Sequence, residues 1–122
     1  MPRQILEESQ LHPAIRDHVA NLNADIVHNV RAATQSNPVL VVGMDLNPEC
    51  GKARKTLDGA GIAYQYLSYG SYFSQWRRRN ALKMWTGWPT FPMVFVKGAL
   101  VGGAEDLRLL VESGEIKRLL GV

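Results

Sequence analysis

Cys50 is the single cysteine in 122 residues, so no internal disulfide can form and any thiol chemistry of the chain belongs to it. It follows an apolar run, Val39–Met44, and a short loop, Asp45–Glu49, and the spacing places it at the opening of a helix. A thiolate there faces unpaired backbone N–H groups and the positive end of the helix dipole, both of which favour the charged form. Lys52, Arg54 and Lys55 follow within two turns. Cations at a helix N-terminus oppose the dipole, so local stability does not account for them, whereas a nearby anion would. Glu49 acts in the opposite sense. On this pattern Cys50 is expected to be partly exposed and to titrate below a free thiol. The alternative is an inert buried cysteine, since free cysteine is among the most buried residue types. The residues alone leave both readings open.

A second stretch, Trp88–Gly103 (W-P-T-F-P-M-V-F-V-K-G-A-L-V-G-G), has the chemistry of a peptide-binding edge. Met93–Val96 and Ala99–Val101 are short β-rich runs with Lys97-Gly98 between them, which predicts a hairpin. Pro92 stands before the first strand, where no ladder donor is needed. The tight approach allows a cis bond at Phe91-Pro92. That bond would turn the Phe91 backbone outward, free to pair with an extended peptide ligand. Gly102-Gly103 then turns the chain into a further helix.

The elements that must carry these residues are legible around them. Ile15, Val19, Leu22, Ile26 and Val30 recur at three and four after Pro13, predicting one helix, or two if Asn23 caps a second. Val39–Met44 reads as a central strand covered on both faces. A helix from about Cys50 to Leu57 ends at Gly59 and Gly61, and Ile62–Leu67 begins a second strand. Two strands separated by a helix form a βαβ unit with parallel strands. Ser71–Trp85 is expected to be helical, and Ala104–Val111 and Glu115–Leu120 close the chain as helices. The sum is an α/β fold: a four-stranded mixed sheet with helices on both faces and an extra N-terminal helical segment.

Composition sets bounds. The length suits one domain, and 46% hydrophobic residues can bury a core unaided by disulfides. A net charge of +3 suits a small acidic ligand without demanding nucleic acid. No apolar run nears the roughly 20 residues of a membrane span. The N-terminus lacks the apolar centre of a signal peptide, and the expected location is cytoplasmic. His12, His18 and His28 are not at metal-ligand spacing. Arg77-Arg78-Arg79 with Trp76 and Lys83 could meet phosphates, but a solvated helix face explains it more simply, so nucleic acid is not expected. Tyr64, Tyr66, Tyr69, Tyr72 and Phe73 read mainly as core packing, with a partner surface as the lesser alternative.

Cys50-Gly51 after a strand, Trp88-Pro89-Thr90-Phe91-Pro92 before the hairpin and Gly102-Gly103 after it together resemble the glutaredoxins, and are most similar to the monothiol class, whose active site reads C-G-F-S. The similarity runs from about Ala24 to the C-terminus. It divides the chain into an N-terminal extension, 1–23, and a glutaredoxin-like domain, 24–122. The resemblance implies a thioredoxin-like fold, glutathione as cofactor and Cys50 as the redox thiol. It implies that Thr90 and Phe91, before a cis Pro92, hold the glutathione backbone. Gly103, Ala104 and Glu105 would receive the γ-glutamyl carboxylate at a helix N-terminus. Arg79 would take the glycyl carboxylate.

The chain departs from the family pattern at several positions. Gly51-Lys52-Ala53 replaces Gly-Phe-Ser, Asp45 stands at the family's lysine, Glu105 replaces an aspartate, and the loop before Cys50 is shorter. Lys52 is the residue that would restore the charge lost at Asp45. Three readings follow from the resemblance. In the first, Cys50 removes glutathione from glutathionylated client proteins, with a second glutathione resolving it. In the second, Cys50 is a metal ligand: two chains and two glutathiones hold a [2Fe–2S] cluster for delivery to iron–sulfur clients, as a cluster-bridged homodimer. In the third, the chain is a binding module with an inert thiol.

Overall fold

The computed structural model describes residues 2–122. A single 3-10 turn, Glu8–Gln10, precedes α1 (Pro13–Asn21) and α2 (Ala24–Ser36). Then come β1 (Val39–Gly43), α3 (Pro48–Gly59), β2 (Gln65–Ser68), α4 (Trp76–Thr86), β3 (Met93–Val96), β4 (Ala99–Gly102), α5 (Ala104–Glu112) and α6 (Glu115–Leu120). The sheet order is β2-β1-β3-β4, with β1 parallel to β2 and the other two pairs antiparallel. This is the thioredoxin-like α/β arrangement expected from the sequence.

Strand β1 is buried along its whole length because layers of helix cover both its faces. Leu40 and Val42 face a core with Ile26 and Val30 of α2, Ala81 and Leu82 of α4, and Met93 and Phe95. Val39 and Val41 face the opposite core, with Ala53 and Leu57 of α3, Leu107 of α5 and Ile116 of α6. The period-two alternation of a strand thus divides one apolar run between two cores.

The first helical pattern resolves into two helices, broken at Leu22-Asn23 where Asn23 takes a left-handed conformation (φ 50°). α1 buries none of its residues. Two boundaries differ from the sequence expectation. β2 starts at Gln65 rather than Ile62, because its ladder begins opposite Leu40 and the chain before β1 is Pro38, which has no N–H. Ile62 is nonetheless buried and fills the α3 core. α4 starts at Trp76 rather than Ser71, because Ser71–Gln75 fold into a turn in which Ser74 Oγ accepts the Ser71 N–H. Gly87, left-handed at φ 76°, closes α4 and turns the chain toward the Trp88–Pro92 loop.

Leu82 is fully buried between α2 and the sheet. Leu82→Ala is expected to lower unfolding free energy by about 2–5 kcal/mol, whereas Leu109→Ala, half-exposed on α5, is expected to cost far less. Urea denaturation of the two variants provides the comparison.

Candidate functional site

The Trp88–Gly103 stretch and the start of α5 build one side of the site. Phe91–Pro92 is a cis peptide. Phe91 and Pro92 are buried while Thr90 is exposed beside them. Gly103, Ala104 and Glu105 face this loop across a cleft of about 470 Å³, which Trp88, Met44, Asn47, Glu49 and Lys83 also line. The cleft therefore joins the cis-proline loop to the N-terminus of α5. The Asp106 carboxylate accepts the Gly103 N–H at 3.0 Å, leaving the next N–H groups of α5 without an intrahelical partner. Any side chain at Gly102 (φ 119°) would collide with that carboxylate. Trp88 Nε1 is a buried donor with no hydrogen-bond partner among the described residues. It lies 3.6 Å from the point a Cβ of Gly103 would occupy. An unsatisfied buried donor beside free helix N–H groups suits a carboxylate-bearing ligand.

The cysteine side departs from expectation. α3 opens at Pro48, and Asn47 caps it by accepting the N–H groups of Glu49 (2.9 Å) and Cys50 (3.2 Å). Cys50 is therefore the third helical residue, not the first. Its own N–H is already satisfied, and the residue is only 1% exposed. Its sulfur leans over Gly43: a Cβ there would stand 2.8 Å from Cys50 Sγ and 2.7 Å from Tyr66 Oη. Glycine is the one residue that permits this approach.

The expectation of an exposed, acidified thiol is thus corrected. Burial pushes the Cys50 thiol above its ordinary value, and Glu49 adds to the effect. The Met44 backbone, the Tyr66 hydroxyl and Arg54 oppose it without overcoming it. Tyr66 is itself raised, chiefly by burial, and Arg54 lies 4.3 Å over its ring. Cys50 and Tyr66 line a second cleft of about 560 Å³ with Asp45, Leu46, Arg54 and Ser71. The two clefts meet at Met44 and Asn47.

Two residues implied as glutathione contacts lie elsewhere. Arg79 is buried, and its Nη1 donates to the carbonyls of Tyr69 (2.8 Å) and Ser74 (2.5 Å). Nη1 thus holds the turn that precedes α4, and Arg79 does not line the cleft. Lys52 is exposed and paired with Glu49 at 2.8 Å. The cation that lines the cleft is Lys83, one turn beyond Arg79 on α4, with Nζ 5.8 Å over the Phe91 ring. The four-residue spacing on one helix was the available signal, since Arg79 and Lys83 share a face. Asp45 lies in the second cleft, where its carboxylate accepts the Ser68 hydroxyl. Glu105 lines the cleft, and its carboxylate is paired with Arg108.

The glutaredoxin family model matches residues 39–101. A glutaredoxin-like protein of Dictyostelium discoideum is 45% identical over 92 residues, covering 75% of each chain. The mitochondrial monothiol glutaredoxin-S15 of Arabidopsis thaliana is 30% identical over 101 residues, covering 79% of this chain and 56% of that protein. The chain spans only 26% of the chloroplastic bifunctional monothiol glutaredoxin-S16 of the same plant. Among solved structures, oxidized glutaredoxin 2 from Chlamydomonas reinhardtii superposes with a TM-score of 0.70 at 26% identity, covering 81% of this chain and 94% of that one. The buckwheat glutaredoxin–glutathione complex gives 0.72 at 23% identity, covering 83% and 92%. The chain belongs to the glutaredoxin family, and with Cys50 alone it is a monothiol member.

Three outcomes test this geometry. Because burial favours the neutral thiol, alkylation of Cys50 should rise with pH through a midpoint above the free-thiol reference of about 8.5. Tyr66→Phe removes a donor to the thiolate and should move the midpoint higher still. Arg79→Ala should lower stability by about 2–3 kcal/mol through the unpaired turn carbonyls, read by thermal denaturation.

Proposed function

We propose that the protein is a glutathione-dependent thiol–disulfide oxidoreductase working by a monothiol route. The observation that carries this reading is the 470 Å³ cleft, in which a cis-proline loop, the start of α5, the unpartnered Trp88 indole N–H and Lys83 converge. The clefts holding this frame and Cys50 share a wall. The buckwheat relative's glutathione complex supports the same ligand class here. The Phe91 main chain pairs with the extended glutathione backbone, flanked by Thr90 and Pro92. The α5 N–H groups at Ala104 and Glu105, next to Gly103, take the γ-glutamyl carboxylate. Lys83 takes the glycyl carboxylate in place of Arg79.

The chemistry is an exchange of sulfur partners. The Cys50 thiolate attacks the glutathionyl sulfur of a client–glutathione disulfide, and the old S–S bond breaks. The client leaves as a thiolate and takes up a proton. A second glutathione thiolate then attacks the glutathionyl sulfur on Cys50, releasing glutathione disulfide and restoring the Cys50 thiolate. The client disulfide is reduced, and two glutathione moieties leave joined. The raised Cys50 thiol places the fastest turnover at alkaline pH. Residues 24–122 form the redox domain, and 1–23, whose α1 buries nothing, form an extension. A lone free cysteine suits a reducing compartment such as the cytoplasm. Among the described residues no helix is long and apolar enough to cross a membrane.

The iron–sulfur reading has less support. A cluster shared by two chains needs the cysteine sulfur at the surface between them. Cys50 is buried over Gly43, and the surface of the first α3 turn carries the Lys52–Glu49 pair instead. The residues as placed do not fit a bridging cluster.

Calorimetric titration with glutathione tests the ligand assignment. Lys83→Ala should weaken binding by about 1–2 kcal/mol, the worth of a partly exposed charged hydrogen bond, while Lys52→Ala leaves it unchanged. Equal affinities for wild type and Lys83→Ala would reject Lys83 as the anchor.

A further inference from the structure

Leu46 in the second cleft, and the segment that follows its lining residue Ser71, expose apolar groups that the fold does not use. Leu46 is 90% exposed, Phe73 96%, Tyr72 60% and Trp76 52%. They lie on two neighbouring segments. Asp45 donates its backbone N–H to the Gly70 carbonyl at 2.6 Å, and the Asn47 amide reaches Tyr72 Oη at 3.5 Å. Leu46 and Ser71 both line the cleft that holds Cys50. Leu46 also has a positive φ of 58°, a left-handed conformation unfavourable for a residue with a Cβ. An exposed leucine in a left-handed conformation lowers stability on both counts. Leu46 is therefore not explained by folding, and a bound partner would account for it.

The charges on this face select the partner. Arg54 sits over Tyr66 at 4.3 Å and Arg77 over Trp76 at 5.0 Å. Neither has a carboxylate within ion-pair distance among the described residues. Of the acids nearby, Glu49 is paired with Lys52, Asp45 accepts from the Ser68 hydroxyl and keeps its charge, and Asp58 acts on Arg54 from one turn further along α3 without an ion pair. The face thus offers apolar rings with two cations held by ring faces, beside a cysteine.

We propose that the Leu46, Tyr72, Phe73 and Trp76 rim docks the polypeptide side of the disulfide substrate: a client segment with an apolar side chain and acidic residues flanking its glutathionylated cysteine. The inference rests on Cys50 being the redox thiol and adds the substrate class. Glutathione occupies the cis-proline cleft and the client polypeptide occupies the second, with Cys50 reached where they meet. The rim contacts the client alone, so it discriminates polypeptide disulfides from small ones.

The probe is a fluorescein-labelled peptide, Glu-Leu-Cys-Phe-Asp, glutathionylated on its cysteine. Its binding is read by anisotropy on Cys50→Ser protein, so that no exchange occurs. Phe73→Ser in that background should weaken binding about tenfold, as loss of an aromatic anchor does. A peptide with lysines for both acids should bind more weakly than the acidic one. Leu46→Gly should weaken binding while raising the melting temperature, because it relieves strain at an exposed site. With Cys50 present, Phe73→Ser should raise KM for the peptide disulfide and leave kcat/KM for the cysteamine–glutathione disulfide unchanged.

Equal binding by Cys50→Ser protein with and without Phe73→Ser, or of acidic and basic peptides, would overturn the proposal. So would concentration-dependent self-association abolished by Phe73→Ser, which would make the rim a contact between copies. A wild type inactive on both disulfides would refute the redox reading, while the anisotropy arm still decides the rim.

Discussion

The four residues Met44–Asn47 that join β1 to α3 set the terms for the site. So short a connection cannot leave the cysteine at the tip of its helix. It admits Asn47 as the cap and Pro48 as the first helical residue, and Cys50 is carried into the third position. There the sulfur turns inward over Gly43 and meets Tyr66. The rest of the site adjusts to this placement. Gly43 must lack a side chain, Tyr66 must supply a hydroxyl, and Arg54 lies across the Tyr66 ring.

The consequence is a division of labour between two clefts. The cis-proline cleft holds the groups proposed to recognise glutathione but does not include the cysteine among its lining. The second cleft holds the cysteine with a phenol and a guanidinium. Desolvation dominates the thiol and raises it, with the Met44 backbone and the Tyr66 hydroxyl opposing. A buried thiol resists stray oxidation.

The fold was legible in the sequence because its signals are local and strong. Val39–Met44 could only be a strand covered on both faces, and the Lys97-Gly98 turn announced the hairpin. The family motifs lay in the same stretches, so the cis-proline cleft was legible as well. The thiol environment was not. Position within the first helical turn decides whether a cysteine meets free N–H groups or a buried wall, and the Asn47 cap shifts that position by two residues. Arg79 and Lys83 were also indistinguishable in sequence, being basic residues one turn apart. The carbonyls of Tyr69 and Ser74 claim the first and leave the second for the cleft. The aromatic stretch was only half core: Tyr64, Tyr66 and Tyr69 pack inward, whereas Tyr72 and Phe73 stand in solvent.

The central claim is that Cys50, although buried, carries the glutathionyl group. Intact-mass measurement of the protein after incubation with glutathione disulfide tests it most directly. The expected result is a single glutathione adduct on wild type, formed faster at alkaline pH, removed by added glutathione and absent from Cys50→Ser. A wild type that stays unmodified across that pH range while remaining folded would contradict the account.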